Sequence, residues 1–109
     1  MPSVSGQIVQ DEIANVPKLG SNPVIDNLTL TLANTEYSLA LTTDTRRFIV
    51  TTRQGNEVKL AYTLGQSSTI YLTIPAGGQY QELFIGDGTL TLYLQGQKAG
   101  TIVEVIHWY

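Results

Sequence analysis

From Asp26 onward, apolar residues recur at every second position and turn-forming residues interrupt them about every 8 to 12 positions, a pattern of short antiparallel strands. The first strand is read over Asn27–Ala33, with Leu28, Leu30 and Leu32 on one face and a turn at Ala33-Asn34-Thr35. Tyr37–Leu41 follows, placing Tyr37, Leu39 and Leu41 inward before the polar turn Thr42-Thr43-Asp44-Thr45. Arg46–Arg53 is the third strand, with Phe48 and Val50 as its buried pair. Gln54-Gly55-Asn56 then supplies positive-φ residues for a tight turn into a fourth strand carrying Val58, Leu60 and Tyr62. Thr69–Ile74 is the fifth, with Ile70, Leu72 and Ile74 facing one way, and Pro75-Ala76-Gly77-Gly78 closes it because proline cannot continue a central ladder. Glu82–Ile85 forms a short sixth strand, Gly86-Asp87-Gly88 turns, and Leu90, Leu92 and Leu94 make the inward row of the seventh. The chain ends on Thr101–Trp108, with Val103, Val105 and His107 on one face and Ile102, Glu104, Ile106 and Trp108 on the other. Apolar residues on both faces predict a strand covered twice, once by the core and once by a partner.

About eight such segments, none with a helical stripe, predict an all-β fold: an antiparallel β-sandwich of jelly-roll type over residues 26–109. Residues 1–25 are different. Ile8, Val9, Ile13, Val16 and Leu19 are scattered among polar residues, with Pro17 and Pro23 as breaks, so this segment reads as an irregular N-terminal arm. A short helix over Gln10–Val16 would be ended by Pro17. Ordering some twenty residues costs on the order of 1–2 kcal/mol each, whereas burying five apolar side chains returns about 1.5–3 kcal/mol apiece. The arm therefore needs a surface to lie on, and its apolar residues, with Ile106, Trp108 and Tyr109 at the other end of the chain, are the candidate protein-interface residues.

Composition narrows the chemistry. At 109 residues the chain is one domain, and only 14% of it is charged, well below the roughly 25% usual for soluble domains, so much of its surface is expected to be covered by neighbours. Six Lys and Arg against nine Asp and Glu give a net charge of −3, which argues against nucleic acid as a partner. No cysteine is present, so there is neither a disulfide framework nor a thiolate metal site. His107 is the sole histidine, which removes any two-histidine or three-histidine metal site and leaves a Ser-His-Asp triad no Gly-x-Ser-x-Gly elbow. No cofactor, metal or catalytic residue is assigned, and the chain is expected not to be an enzyme. Glu36, Glu57, Glu82 and Glu104 could form a carboxylate pair only if the fold brought two together. The segment Met1–Gln7 lacks a positive n-region and an apolar run, and no stretch approaches the ~20 apolar residues of a membrane span, so the chain is expected to be made and folded in a cytoplasm, with no membrane partner. Tyr71, Tyr80, Tyr93, Trp108 and Tyr109 are candidate platforms for stacking on sugars, although cross-strand pairing accounts for such tyrosines equally well.

One further feature is a likeness. Leu60-Ala61-Tyr62, Gly65, and the run Tyr71-Leu72-Thr73-Ile74-Pro75-Ala76-Gly77-Gly78-Gln79-Tyr80-Gln81-Glu82 resemble small structural proteins of tailed-bacteriophage virions. The resemblance continues through Thr89–Leu94, Ala99-Gly100 and Val103–Trp108, so it spans most of residues 28–108 and leaves the arm uncovered. It implies a β-sandwich mounted on a capsid or tail, with a capsid decoration or cement role. The partners it implies are the major capsid protein and further copies of the chain, expected as a homo-oligomer of trimeric type, and the location it implies is the virion, after synthesis in the host cytoplasm. The rival reading is a host-surface or glycan-binding module of a tail or fibre.

Overall fold

The computed structural model describes residues 20–83, 85 and 88–109; the arm candidates Ile8, Val9, Ile13, Val16 and Leu19, and the helix weighed over Gln10–Val16, lie outside them. The described residues form eight strands and no helix: β1 (Pro23–Leu30), β2 (Tyr37–Ala40), β3 (Arg47–Thr52), β4 (Val58–Ala61), β5 (Leu72–Ile74), β6 (Gln79–Glu82), β7 (Thr91–Gly96) and β8 (Thr101–Trp108). They build two four-stranded antiparallel sheets, ordered β1-β8-β3-β6 and β2-β7-β4-β5.

The pairing has a simple logic. β1 pairs with β8, β2 with β7, β3 with β6 and β4 with β5, as in one long two-stranded ribbon whose tip is the 62–71 loop. The ribbon rolls up so that its segments alternate between the sheets, and the lateral pairs β3–β8 and β4–β7 zip it closed. This is the jelly-roll sandwich expected from the alternation. Both ends of the ribbon meet at one end of the sandwich, where the amides of Ser21 and Asn22 donate to the Tyr109 carbonyl at 3.2 and 3.1 Å.

β8 is last in sequence but central in space. Its inward residues Thr101, Val103, Val105 and His107 are all buried, and Val103 and Val105 join Phe48 and Val50 of β3 and Leu60, Leu92 and Leu94 of the opposite sheet in one core. Replacing one of the core leucines, such as Leu92 or Leu94, by alanine removes a side chain worth about 2–5 kcal/mol.

Three of the expected strands shift. The first begins at Pro23 and ends at Leu30, so Pro23, Val24 and Ile25 leave the arm for β1, and Leu32, expected inward, is exposed. Proline is tolerated at the first residue of an edge strand. The fifth shortens to Leu72–Ile74, because the Gln66 carbonyl takes the amides of Thr69 and Ile70 and holds them in a turn; Ile70 and Leu72 are exposed rather than buried. The sixth moves from Glu82–Ile85 to Gln79–Glu82, since the tight turn after Pro75 delivers the chain into register with β3 earlier, Tyr80 opposite Val50. Tyr62, expected in the core row of β4, lies past the strand's end and is also exposed.

Two polar devices hold the sandwich beyond its apolar core. At the first, His107 is fully buried; its Nε2 sits 2.8 Å from Asp26 Oδ2, and the Thr42 amide donates to its Nδ1 at 3.4 Å, with Thr42 Oγ1 3.2 Å away. A ring nitrogen that accepts from an amide carries no proton, so the ring donates from Nε2 to Asp26. The trio joins β1 and β8 to the turn after β2. At the second, the Glu36 carboxylate accepts from the amides of Gly65 and Ser67 at 2.7 and 3.0 Å, drawing the 62–71 loop across the outer face of the second sheet. The Ser67 hydroxyl also donates to Gln95 Oε1 at 3.0 Å. The Ser67 side chain, then the two amides, hold the Glu36 carboxyl below the usual carboxylate range against an opposing desolvation. Since one hydroxyl proton cannot serve Gln95 and Glu36 at once, the amides are the constant part of this clasp.

Asp26→Ala leaves a buried imidazole N–H without an acceptor and is expected to cost about 1–3 kcal/mol in chemical denaturation, while Asp26→Asn, whose amide oxygen still accepts, costs less than half as much. Because the folded Glu36 value is lowered, its contribution is present above the unfolded carboxylate value and is lost as pH falls through the folded one. Protection of the Gly65 and Ser67 amides in hydrogen exchange is therefore expected to drop over that acid range, and Glu36→Gln is expected to weaken it above that range and to remove the drop.

Candidate functional site

The outer face of the first sheet follows directly from its register. Side chains pointing away from the core fall into rows that run across the strands: Pro23, Trp108 and Arg47; then Ile25, Ile106, Ile49 and Gln81; then Asn27, Glu104, Thr51 and Gln79; then Thr29 and Ile102. The second row places three isoleucines side by side on three adjacent strands. Ile25 is 68% exposed, and the row borders a shallow hollow of about 250 Å³ lined also by Thr51 and Glu104. A contiguous apolar row on a face that no other layer of the described residues covers is the kind of surface that marks a contact site.

Charged groups frame the row on both sides. The Arg47 guanidinium lies over the Trp108 ring, 3.8 Å from its centre, and its Nε–H is buried with no hydrogen-bond acceptor among the described residues. Glu104 lies on the other side, 3.5 Å from Arg53 Nε; both side chains are well exposed, so this pair contributes little to stability. Trp108 is further held from the chain's start. Gly20 adopts a φ of +82°, and a Cβ there would come within 2.9 Å of the Trp108 carbonyl carbon, so the chain passes this strand end at a distance that only glycine allows.

Of the predicted interface residues among the described ones, Ile106 and Trp108 lie on this face, and Tyr109 lies at its end, exchanging backbone hydrogen bonds with Asn22. Ile25 and Ile49 were not among them. Ile49 carries a readable signal, because it alternates with Phe48 and Val50 and so must face away from the core; Ile25 was masked by the reading of Pro23 as a break.

A second grouping sits at the open edge between the sheets. The Tyr62 hydroxyl donates to Tyr80 at 3.2 Å, and Tyr80 donates to Glu82 Oε2 at 2.7 Å, beside a wide hollow of about 330 Å³ lined by Tyr62, Glu82, Ile85 and Leu90. Burial, followed by the hydrogen bonds to Tyr62 and Glu82, pushes the Tyr80 phenol far above its ordinary value, and burial raises Tyr62 as well, so both remain protonated at neutral pH. The candidate aromatic platforms do not assemble. Tyr80 points inward against Phe48, with ring centres 5.9 Å apart, Tyr71 carries Lys59 over its ring at 4.7 Å, and Trp108 is covered by Arg47. Nor do three of the candidate carboxylates meet: Glu36 binds the 62–71 loop, Glu104 lies on the outer face of the first sheet, and Glu82 points toward Tyr80. Among the described residues, no three His, Asp or Glu side chains converge on a point that could hold a metal ion.

No protein-family model matches the chain, and no curated protein matches it. Among solved structures, a de novo designed double-stranded β-helix determined by solution NMR is similar over 79% of this chain and 96% of its own length, with a TM-score of 0.50 and 12% sequence identity. At that identity the likeness is one of fold alone: it reaches the rolled ribbon and leaves function to the site.

Proposed function

We propose that the protein is a structural virion component, a capsid decoration or cement protein that stabilises a bacteriophage head through protein–protein contacts. The observation that carries this reading is the exposed isoleucine row Ile25, Ile106 and Ile49, set beside Trp108 on an uncovered sheet face. The low charge of the chain and its resemblance in residues 28–108 to small virion proteins support it. Its partners are the major capsid protein and other copies of itself, the resemblance implying a homotrimer. A cement protein bridges neighbouring subunits, and a rigid sandwich with one apolar face is suited to that work.

The second reading, a glycan-binding module of a tail or fibre, rests on the Tyr62, Tyr80 and Glu82 chain beside its hollow. A glycan array separates the two, since specific binding that is lost in Glu82→Gln favours the module. For the cement reading, gold-labelled protein on intact virions is expected to decorate the head, and label confined to the tail tip would overturn it. Ile25→Glu, at a side chain already in solvent, is expected to change unfolding free energy by no more than about 0.5 kcal/mol while reducing capsid attachment severalfold in a sedimentation assay.

A further inference from the structure

We infer that two copies of this chain pack face to face through the outer surface of the β1-β8-β3-β6 sheet, about a two-fold axis that runs along the row Ile25, Ile106 and Ile49. The inference rests on the reading of this face as a protein-binding surface and names its occupant.

Self-association of a sheet face must be isologous, so each row of side chains meets a row fixed by the position of the axis. Two in-plane axes are natural. An axis along β8 would lay that strand's outward column on its own copy, Glu104 against Glu104, and like charges directly opposed are destabilising. An axis across the strands, along the isoleucine row, has the opposite result. Each isoleucine then meets its own counterpart, and the row of Pro23, Trp108 and Arg47 lies over the row of Asn27, Glu104 and Thr51 of the second copy. β8 stays over β8, so Trp108 faces Glu104 across the interface. The strands of the two sheets run antiparallel and aligned, the arrangement in which sheets pack about 10 Å apart.

The position of Arg47 gives the charge complementarity. Its guanidinium does not extend from β3 into solvent but lies over the Trp108 ring on β8, at 3.8 Å, in the place where the other copy's Glu104 would come down. The axis repeats the contact, so two Arg47–Glu104 pairs flank three apolar contacts. Among the described residues the guanidinium leaves its Nε–H without an acceptor, and Glu104 is engaged by an exposed contact with Arg53. What the second copy's Glu104 meets is the charge of the guanidinium rather than its buried Nε–H, and each pair would be partly desolvated by the apolar row beside it.

Sedimentation equilibrium on the full chain tests this across a range of concentrations. The expected result is an even assembly, a dimer or, where the trimer implied by the resemblance also forms, a hexamer of two trimers, in which Ile25→Glu weakens the two-fold contact about tenfold or more while the circular dichroism spectrum is unchanged. Arg47→Glu and Glu104→Arg are each expected to weaken it as well, and the double charge swap to recover a large part of the loss, which a folding defect would not do. A chain that is monomeric at all concentrations, or an assembly indifferent to Ile25→Glu and to both charge reversals, would overturn the inference. The cement reading fails separately, on the virion label, and would survive a monomer that binds the head through this same face.

Discussion

The pairing of β8 on both of its edges is the constraint on which the rest of the structure depends. Eight consecutive residues pair with β1 on one side and six of them with β3 on the other, so this strand has no free edge, and both of its faces must be accounted for by side-chain packing. The inner face is filled by Val103 and Val105 against the leucines of β4 and β7. The outer face has nothing within the described chain to meet Ile106, and the flanking strands add Ile25 and Ile49 at the same level. An apolar row of this kind is not a by-product of strand propensity, because threonine satisfies a pleated surface position without the hydrophobic cost, as it does at Thr29 and Thr51 on the same face.

The interior polar groups fit the same logic. His107 continues the buried row of β8 beyond Val105, at the end of the sandwich where the ribbon's two ends converge and the core thins. An aliphatic residue there would leave the Thr42 amide without its acceptor, whereas imidazole accepts on one nitrogen and donates to Asp26 on the other. One side chain thereby joins the first strand, the last strand and the second turn. A Thr-His-Asp order has the outline of a catalytic relay, but here the ring is sealed in the core and the amide of Thr42 shares its accepting nitrogen, so the group serves as a tie.

How much of this could be read from residues alone differs from element to element. β8 was legible to the residue, because eight positions alternate without glycine or proline and its two faces are both apolar. The sandwich was legible for the same reason, as a sum of such segments. The beginning of β1 was not, since Pro23 looks like a terminator until an edge position makes its missing N–H irrelevant. Ile70 and Leu72 continue an alternation that the Gln66 turn interrupts, and a periodic pattern has no means of reporting that a carbonyl four residues upstream has captured an amide. Asp26, Thr42 and His107 are separated by up to 81 positions and leave no local trace at all. Only the rolled topology brings them together.

That topology also explains why the apolar row and the two ends of the ribbon lie so close. In a ribbon that rolls on itself, the first and last strands pair, and the last strand becomes central once β3 zips onto its free edge. The strand that carries Ile106 and Trp108 is therefore paired on both edges and lies beside the point where Asn22 meets Tyr109. Gly20 passes the Trp108 backbone, and Tyr109 is tied to Asn22, so anything seated on the isoleucine row lies three residue pairs from that tie, where β1 begins beside the end of β8. A contact on this face would thus bear on a rigid, doubly paired strand rather than on a loop. Rigidity of that kind lowers the ordering cost of association and leaves more of the buried apolar area to appear as binding.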